Sequence, residues 1–430
     1  MTPTLRVISL GCSKNTVDTE HLLAALGDAY RIVDEGPADT LLLNTCGFIG
    51  DAKQESVNAV LEAVEMKKRG EVRRIVVFGC LSQRYPHELT AEIPEVDVWL
   101  GARDLAPVAR ALGVEPPSDM QTRRLRQERQ PYAYLKISEG CDRRCSYCAI
   151  PLIRGAHRSV PIETLVEEAR NLAAAGVREL EIIAQDSTYY GLDLYRRRAL
   201  GDLLQSLSEV DGIEWLRLHY AYPSSFPEDV LDIMARNSKL CKYLDIPLQH
   251  ISDGILDRMH RGIDGRKTRE IVTRLRERIP GVVLRTTLIV GFPGETNQDF
   301  AELLDFVKWA KFERLGAFVY SEEEGTWGAE NLRDDVPQEV KQARLDTLME
   351  LQSEISRQYN LSRVGNEITV LADSALPDGS LVCRSQGESP EVDGEIIVSG
   401  ADVSMVGKFL RVKAVRADIY DLEAELLNSY

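Results

Sequence analysis

The chain has 430 residues, 44% of them hydrophobic and 28% charged, which is a globular composition and a length that calls for two or three domains. Its 30 glycines and 18 prolines stay near the average share, so collagenous, low-complexity and largely disordered chains are excluded. The net charge of −16 disfavours broad attraction to nucleic acid or anionic membrane and favours a basic partner. No apolar run approaches the roughly 18 residues of a membrane span, and residues 1–10 lack the blocks of a signal peptide, so a cytoplasmic protein with no membrane contact is expected.

The first third repeats one pattern: an apolar run, a cysteine in a polar or glycine-bearing turn, then a helical stretch. Leu5 to Leu10 runs into Gly11-Cys12, Thr40 to Leu43 into Asn44-Thr45-Cys46, and Arg74 to Phe78 into Gly79-Cys80, with the cysteines 34 residues apart. Val57, Val60, Leu61 and Val64 carry a helical period. Successive βα units predict a parallel sheet, and ligands of such sheets sit beyond the carboxyl ends of the strands. The three cysteines are therefore expected at one crevice, in a domain spanning 1–115.

Residues 116–130, with Pro116-Pro117 followed by Arg123, Arg124, Arg126 and Arg129, read as a linker. Six apolar runs follow, at 133–137, 180–184, 215–220, 243–247, 282–290 and 315–320, most of them separated by helical patterns. They predict a βα barrel left incomplete at six units, over 131–360. Several of its strands run into polar residues, Glu139-Gly140-Cys141, Gln185-Asp186, Gln249-His250 and Gly291-Phe292-Pro293-Gly294-Glu295, which marks that end as the active face. Residues 336–359 read as one long amphipathic helix. After Gly365, short strands between turn signals predict a small antiparallel β-barrel over 361–430. The fold class is α/β, with this barrel appended.

A cytosolic chain of this length needs no disulfide staples, so its eight cysteines point to metal or redox chemistry. Cys141, Cys145 and Cys148 lie within eight residues. Thiolate is the usual ligand of iron–sulfur clusters, and three thiols on a four-iron core leave one iron open to a small ligand, as in open catalytic metal sites. The alternative on spacing alone is a structural zinc completed by a residue such as His157. Cys12, Cys46 and Cys80, taken singly, fit the packing of strand ends; at equal spacing and together they fit a second three-thiol site. Cys241 and Cys383 lack this setting and read as structural.

The Cys141-x3-Cys145-x2-Cys148 spacing at the end of a first barrel strand resembles the radical S-adenosylmethionine enzymes. Leu10-Gly11-Cys12-Ser13-Lys14-Asn15, Asn44-Thr45-Cys46-Gly47-Phe48-Ile49, Gly79-Cys80, and Ile137 to Cys141 through Arg154-Gly155 resemble the methylthiotransferases, over essentially the whole chain. Ser13 departs from the pattern, since proline is usual there. The resemblance implies an amino-terminal cluster domain, a TIM-like partial (βα)6 barrel and a carboxy-terminal TRAM, OB-like barrel. It implies two [4Fe-4S] clusters, one on Cys12, Cys46 and Cys80, the other on Cys141, Cys145 and Cys148. S-adenosylmethionine is implied at the open iron of the second, and a sulfur donor and an electron donor are implied as partners. The implied activity uses two S-adenosylmethionine molecules, one to methylate a sulfur and one cleaved to a 5′-deoxyadenosyl radical, to add a methylthio group to an unactivated carbon.

Within that family, Glu139-Gly140-Cys141-Asp142, Asp245-Ile246-Pro247-Leu248-Gln249-His250 and Tyr320 to Thr326 resemble the branch that modifies the β-carbon of an aspartate in the small-subunit ribosomal protein S-twelve. The other branch modifies tRNA adenosine. From Leu361 to Tyr430 six basic residues face twelve acidic ones, a net charge of −6, whereas a barrel that grips tRNA should be basic. An acidic one suits a basic ribosomal protein, and an ordinary solvated acidic surface accounts for the same count. A monomer is expected. Tyr147, Gln185, Gln249, Gly291, Gly294 and Glu295 are the candidate contacts to S-adenosylmethionine, the two glycines equally serving as a turn. His219 and His250 read as structural, and Arg143, Arg144, Arg154 and Arg158 either meet a carboxylate or balance charge in solvent. No residue is singled out as a catalytic acid or base.

Overall fold

Runs of Leu, Ile and Val without polar interruption make strands buried on both faces, and the amino-terminal sheet has an apolar core on each side: Leu41, Leu43, Ile75 and Val77 face one, Leu5, Leu42, Val76 and Phe78 the other. The computed structural model describes residues 2–127 and 129–427; Met1, Glu128 and the last three residues of the region expected at 361–430 lie outside the described residues. β1 (Thr4–Ser9), β2 (Arg31–Ile32), β3 (Ala38–Thr45), β4 (Val72–Gly79) and β5 (Val98–Trp99) pair in parallel in the order β2-β1-β3-β4-β5. The outer strands have two residues each, too few for a periodic signal, and the three βα units expected from sequence do not include them. Helices α1 (Ser13–Leu26), α2 (Gly50–Lys68) and α3 (Cys80–Arg84) follow β1, β3 and β4.

The segment 116–130 is pinned rather than loose. Arg124 is buried between Glu20 and Glu168, 2.8 Å from the latter, and His21 Nδ1 donates to the carbonyls of Met120 and Arg123 at 3.1 and 3.0 Å. Burial and the neighbouring Arg124 and Lys136 hold that imidazole neutral, with its pKa lowered to about 3.

The six runs of the central region form β6 (Tyr132–Lys136), β9 (Glu179–Ile183), β10 (Trp215–Leu218), β11 (Leu240–Asp245), β12 (Val283–Val290) and β13 (Arg314–Val319), a parallel sheet in the order β13-β12-β11-β10-β9-β6 that does not close. A small ribbon, β7 (Ser138–Glu139) against β8 (Arg158–Ser159), clamps the base of the excursion that carries Cys141, Cys145 and Cys148. The long helix, Gln338–Arg363, covers the edge strand β13: Gln352 donates to the carbonyl of Phe312 at 2.9 Å, and Arg314 reaches Ser356 at 3.4 Å.

The helix ends on the third unit, where β14 (Glu367–Ala375), β15 (Leu381–Arg384), β16 (Ile396–Ser399), β17 (Phe409–Ala417) and β18 (Leu422–Leu426) close a barrel in the order β14-β15-β16-β18-β17. All of its pairs are antiparallel except β16 with β18. This barrel sits at the amino-terminal ends of the central strands. Leu371 packs with Trp215, Cys241, Tyr243 and Val283, and Arg384 pairs with Glu179 at 2.8 Å. Glu179, Glu181, Arg217 and His219 are buried and give the lumen of the open barrel a polar lining, which β15 and its following turn plug. Arg217 donates to Glu179 and to the Gln386 carbonyl at 2.8 and 2.7 Å. Cys241 and Cys383 are buried in these cores.

Candidate active site

Cys12, Cys46 and Cys80 each follow the carboxyl end of a strand, and the glycines beside them set how closely their loops cross. A Cβ on Gly11 would lie 2.7 Å from Cys46 Cβ, one on Gly47 would lie 2.7 Å from the Leu81 backbone, and one on Gly79 would lie 2.5 Å from the Thr45 carbonyl. Only glycine permits these contacts. Cys12 is exposed while Cys46 and Cys80 are buried, so the triplet has one solvent-facing member and two walled ones. Burial pushes the Cys80 thiol up to about 11, with Arg154 opposing and Cys12 and Cys46 adding to the rise; Cys46 is raised by the same cause.

Cys141, Cys145 and Cys148 lie on the irregular stretch between β7 and the helix Ile150–Arg154. Cys145 Sγ receives Arg261 Nη1 at 3.4 Å and the backbone N–H of Arg143 donates to Cys141 Sγ at 3.4 Å. Burial raises Cys141 and Cys148 to about 12. Burial raises the structural Cys383 to about 12 as well, and a metal core is one of the groups that compensate the charge of a thiolate. Among the described residues no group of three or more His, Cys, Asp or Glu side chains stands in position to hold a metal ion, the two cysteine triplets included. His157 Nε2 instead meets Ser159 at 3.0 Å. Cys12, Cys46 and Cys80 on one set of loops and Cys141, Cys145 and Cys148 on the other are the residues that would hold clusters through one thiolate per iron.

The two loops are tied by one buried ionic network. Arg154 donates through Nη1 to Asp18, Glu139 and the Ala102 carbonyl at 2.7, 3.1 and 3.2 Å, and through Nη2 to Asn15 Oδ1 and Cys80 Sγ at 2.6 and 3.3 Å. Lys136 pairs with both Asp18 and Glu139. Burial opposes ionisation of Glu139, yet Lys136 and Arg154 hold its carboxyl at about 2. On the other side of the open barrel, Glu323 is buried and accepts from Lys53 and Arg84 at 2.9 and 2.7 Å. The amino-terminal domain thus grips both edges of the central sheet.

The six candidate contacts to S-adenosylmethionine fall into two groups. Tyr147 meets Arg261 Nη1 at 3.3 Å and packs edge-on against Phe292, whose ring meets Tyr320 at 5.0 Å, an apolar wall beside the loop. Gln185 donates to Glu139 at 2.6 Å, and its Oε1 is buried without a partner. Gln249 is held in the left-handed region at φ 75°, a strain that persists at functional positions. Gly291, Gly294 and Glu295 are largely taken up by protein contacts, in their own loop, with Arg258 and with the long helix. A Cβ on Gly291 would lie 2.3 Å from Lys341 Cγ, and one on Gly294 1.5 Å from Arg258 Nη1. Glu295 accepts from the Gly291 N–H at 2.7 Å and pairs with Arg344 at 2.9 Å.

Of the four arginines around the loop, Arg154 and Arg143 meet carboxylates, Arg143 donating to Asp186 at 2.7 Å, whereas Arg144 and Arg158 are exposed. His219 Nε2 lies 2.7 Å from Glu181 Oε2 in the lumen, and burial lowers His250 to about 4. Asn15, Asp18, Lys136 and Arg261 were not among the residues singled out in the sequence. The signal for the first two was the run Lys14, Asn15, Asp18, Thr19 and His21, a polar face on a helix that is nonetheless buried.

Comparison with known proteins agrees with this architecture. Residues 135–307 match the radical SAM superfamily, residues 4–101 the family described as "Uncharacterized protein family UPF0004", and residues 364–427 the TRAM domain. The "Ribosomal protein uS12 methylthiotransferase RimO" of Bacteroides thetaiotaomicron is 46% identical over 99% of this chain and 98% of its own length. Those of Christiangramia forsetii and Porphyromonas gingivalis are each 49% identical, over 99% and 98% of this chain and 94% and 98% of theirs. The chain belongs to the RimO family of methylthiotransferases. It is a radical SAM transferase. Among solved structures, the radical S-adenosylmethionine methyltransferase TsrM of Kitasatospora setae superposes with a TM-score of 0.55 at 16% identity, over 74% of this chain and 75% of that one. The cobalamin-dependent radical enzyme OxsB gives 0.53 at 13%, over 82% and 56%. Both show the shared fold.

Proposed function

We propose that the chain adds a methylthio group to the β-carbon of an aspartate in the small-subunit ribosomal protein S-twelve, with one [4Fe-4S] cluster held by Cys12, Cys46 and Cys80 and a second by Cys141, Cys145 and Cys148. The observation that supports this reading is the Asp18–Arg154–Glu139 network, which links Cys80 to the residue two before Cys141 and so ties the two thiol-bearing loops together. Clusters bound there would supply an electron for cleaving the sulfonium of S-adenosylmethionine and an open iron for the transferred sulfur. The chain's own residues orient and exclude water. Tyr147, Phe292 and Tyr320 wall one side, the free Oε1 of Gln185 and the strained Gln249 offer polar contacts to the nucleoside, and Arg143 on Asp186 stiffens the radical loop. The names of the 46–49% identical relatives support S-twelve as substrate, and the acidic chain suits a basic protein.

The test is anaerobic reconstitution with iron and sulfide counted per chain, followed by incubation with S-twelve or undermodified tRNA and measurement of the mass gain of one methylthio group. Cys12→Ala is expected to abolish transfer and retain S-adenosylmethionine cleavage, while Cys145→Ala abolishes both. Modification of tRNA alone, or identical behaviour of the two variants, overturns the reading.

A further inference from the structure

Lys14 is only 7% exposed, yet among the described residues no carboxylate lies within ion-pair distance of its Nζ and no hydrogen bond is made by it. Its partner is the face of the Tyr220 ring, 3.5 Å away. The other deeply placed lysines behave differently: Lys136 has Asp18 and Glu139, and Lys341 has Asp334 at 2.6 Å. A buried ammonium without a counter-charge is costly, because a ring face recovers only part of its hydration. Such a group is kept where a ligand completes it.

Its place is the cleft between the two thiol loops. Lys14 stands two residues after Cys12, at the start of α1, and the ring it faces follows the carboxyl end of β10 in the central barrel. Tyr220 is held in the left-handed region at φ 57°, with its N–H donated to Asp245 at 3.2 Å and its carbonyl accepting from the Ser187 N–H at 3.1 Å. That bond fastens it to the residue after Asp186, and Asp186 accepts from Arg143 of the radical loop at 2.7 Å. A strained aromatic residue fastened at both backbone atoms presents its ring to the lysine. The other cations of the cleft have polar partners, Arg154 through five bonds and Arg261 at Cys145, Tyr147 and the Pro247 carbonyl, although Arg261 Nε is buried without one. Arg143 keeps one buried, unpartnered nitrogen, Nη2, on the radical loop.

We propose that Lys14 binds the side-chain carboxylate of the acceptor aspartate; this rests on the function proposed above. In an aspartate the carboxylate carbon is bonded directly to the β-carbon, so an ammonium that fixes the carboxylate places the carbon that loses hydrogen and gains the methylthio group. The same site rejects asparagine, whose neutral amide leaves the ammonium unpaired. The other carboxylate that enters this cleft, that of S-adenosylmethionine, is left to the radical-loop side.

The test uses the reconstituted full-length enzyme and its Lys14→Met and Lys14→Arg variants, with synthetic S-twelve peptides carrying the acceptor aspartate or asparagine in its place. The wild type is expected to bind the aspartate peptide roughly ten- to a hundredfold more tightly than the asparagine peptide, the range of a charge-assisted hydrogen bond. Lys14→Met should bind both peptides alike, with peptide-free cleavage of S-adenosylmethionine within about twofold of wild type, and Lys14→Arg should restore part of the preference. Retained discrimination in Lys14→Met overturns the proposal. So does a loss confined to S-adenosylmethionine cleavage, or a change confined to the electron paramagnetic resonance of the amino-terminal cluster. A wild type that modifies neither peptide nor whole S-twelve refutes the underlying substrate reading instead, a result distinguishable from failure of Lys14 alone.

Discussion

Arg154 is the residue whose removal should cost most. It is 2% exposed and its guanidinium is shared by five acceptors on three segments of chain, α1, the turn after β5 and β7, together with the Cys80 thiol. Arg154→Met leaves Asp18 and Glu139 facing a single ammonium, that of Lys136, in a buried site. Breaking such a pair by deleting one partner costs about 3–5 kcal/mol. Arg154→Lys keeps the charge and loses the fork, so the bonds to Asn15 and Cys80 go, for about 1–2 kcal/mol. Because the network joins units with separate apolar cores, the loss should appear in urea unfolding of the iron-free chain as earlier release of the amino-terminal domain. Far-ultraviolet circular dichroism and tryptophan fluorescence followed in parallel would separate the two steps. A cycle with Asp18→Asn should give a coupling of at least about 1 kcal/mol. If Met and Lys variants both unfold within about 0.5 kcal/mol of wild type, the fork does not hold the domains together and the link between the two thiol loops fails with it.

Four further outcomes follow from the same coordinates. Glu388 is buried, which raises its pKa, but Arg363 and Arg314 hold the carboxyl well below the usual 4.5; its stabilisation is therefore complete above that value and is lost as pH falls toward the folded-state pKa. Glu388→Gln should destabilise docking of the carboxy-terminal barrel by about 2–4 kcal/mol at pH 7, with the gap to wild type narrowing steadily in unfolding curves below pH 4.5. Gly79→Ala forces a Cβ to 2.5 Å from the Thr45 carbonyl at a φ of 116°, and should reduce iron bound per chain by about half, since only one triplet survives. Glu323→Ala strands Lys53 and Arg84 and should expose the 321–326 loop to limited proteolysis, whereas unchanged cleavage would show that the clasp does not bear load. Cys241→Ser and Cys383→Ser should keep full iron content, as both thiols are packed away from the two triplets.

What the sequence revealed and what it hid divide along contact range. The six central strands and the closed terminal barrel were legible because apolar runs between glycine and proline signals report local burial, and Cys12, Cys46 and Cys80 could be placed at strand ends from the repeat alone. The outer strands Arg31–Ile32 and Val98–Trp99 form only because β1 and β4 offer free edges, and two residues carry no period. The arginines show the same limit. Arg143 and Arg154 meet carboxylates while Arg144 and Arg158 are exposed, and distance from the loop in sequence does not sort them, since Arg144 lies inside it and Arg154 beyond it. The partner of Arg154, Asp18, is 136 residues away. Charge counting is blind to range in the same way: Asp373, Glu388 and Asp393 contribute to the −6 of the last region, but they lie against Arg384, Arg314 and Arg285 at or beneath the barrel seam.

The position of that terminal barrel constrains how a protein substrate is held. Glu179 at the start of β9 grips Arg384, whereas Gln185, just past the end of β9, holds Glu139 beside Cys141, and six residue steps of extended chain separate the two by about 20 Å. On the proposed function, a partner bound by the terminal barrel would present its acceptor residue from around the flank of the central sheet, and barrel contacts would act on capture rather than on chemistry. Charge reversal at the exposed Glu395 and Glu425 should accordingly raise KM for S-twelve by about three- to tenfold at low salt and leave both kcat and peptide-free S-adenosylmethionine cleavage unchanged. The effect should fade as salt screens it over a Debye length of about 8 Å near physiological ionic strength. A fall in kcat without a change in KM would mean that this barrel supports the catalytic cleft through the lumen, along Arg384, Glu181 and His219, and takes no part in holding the substrate.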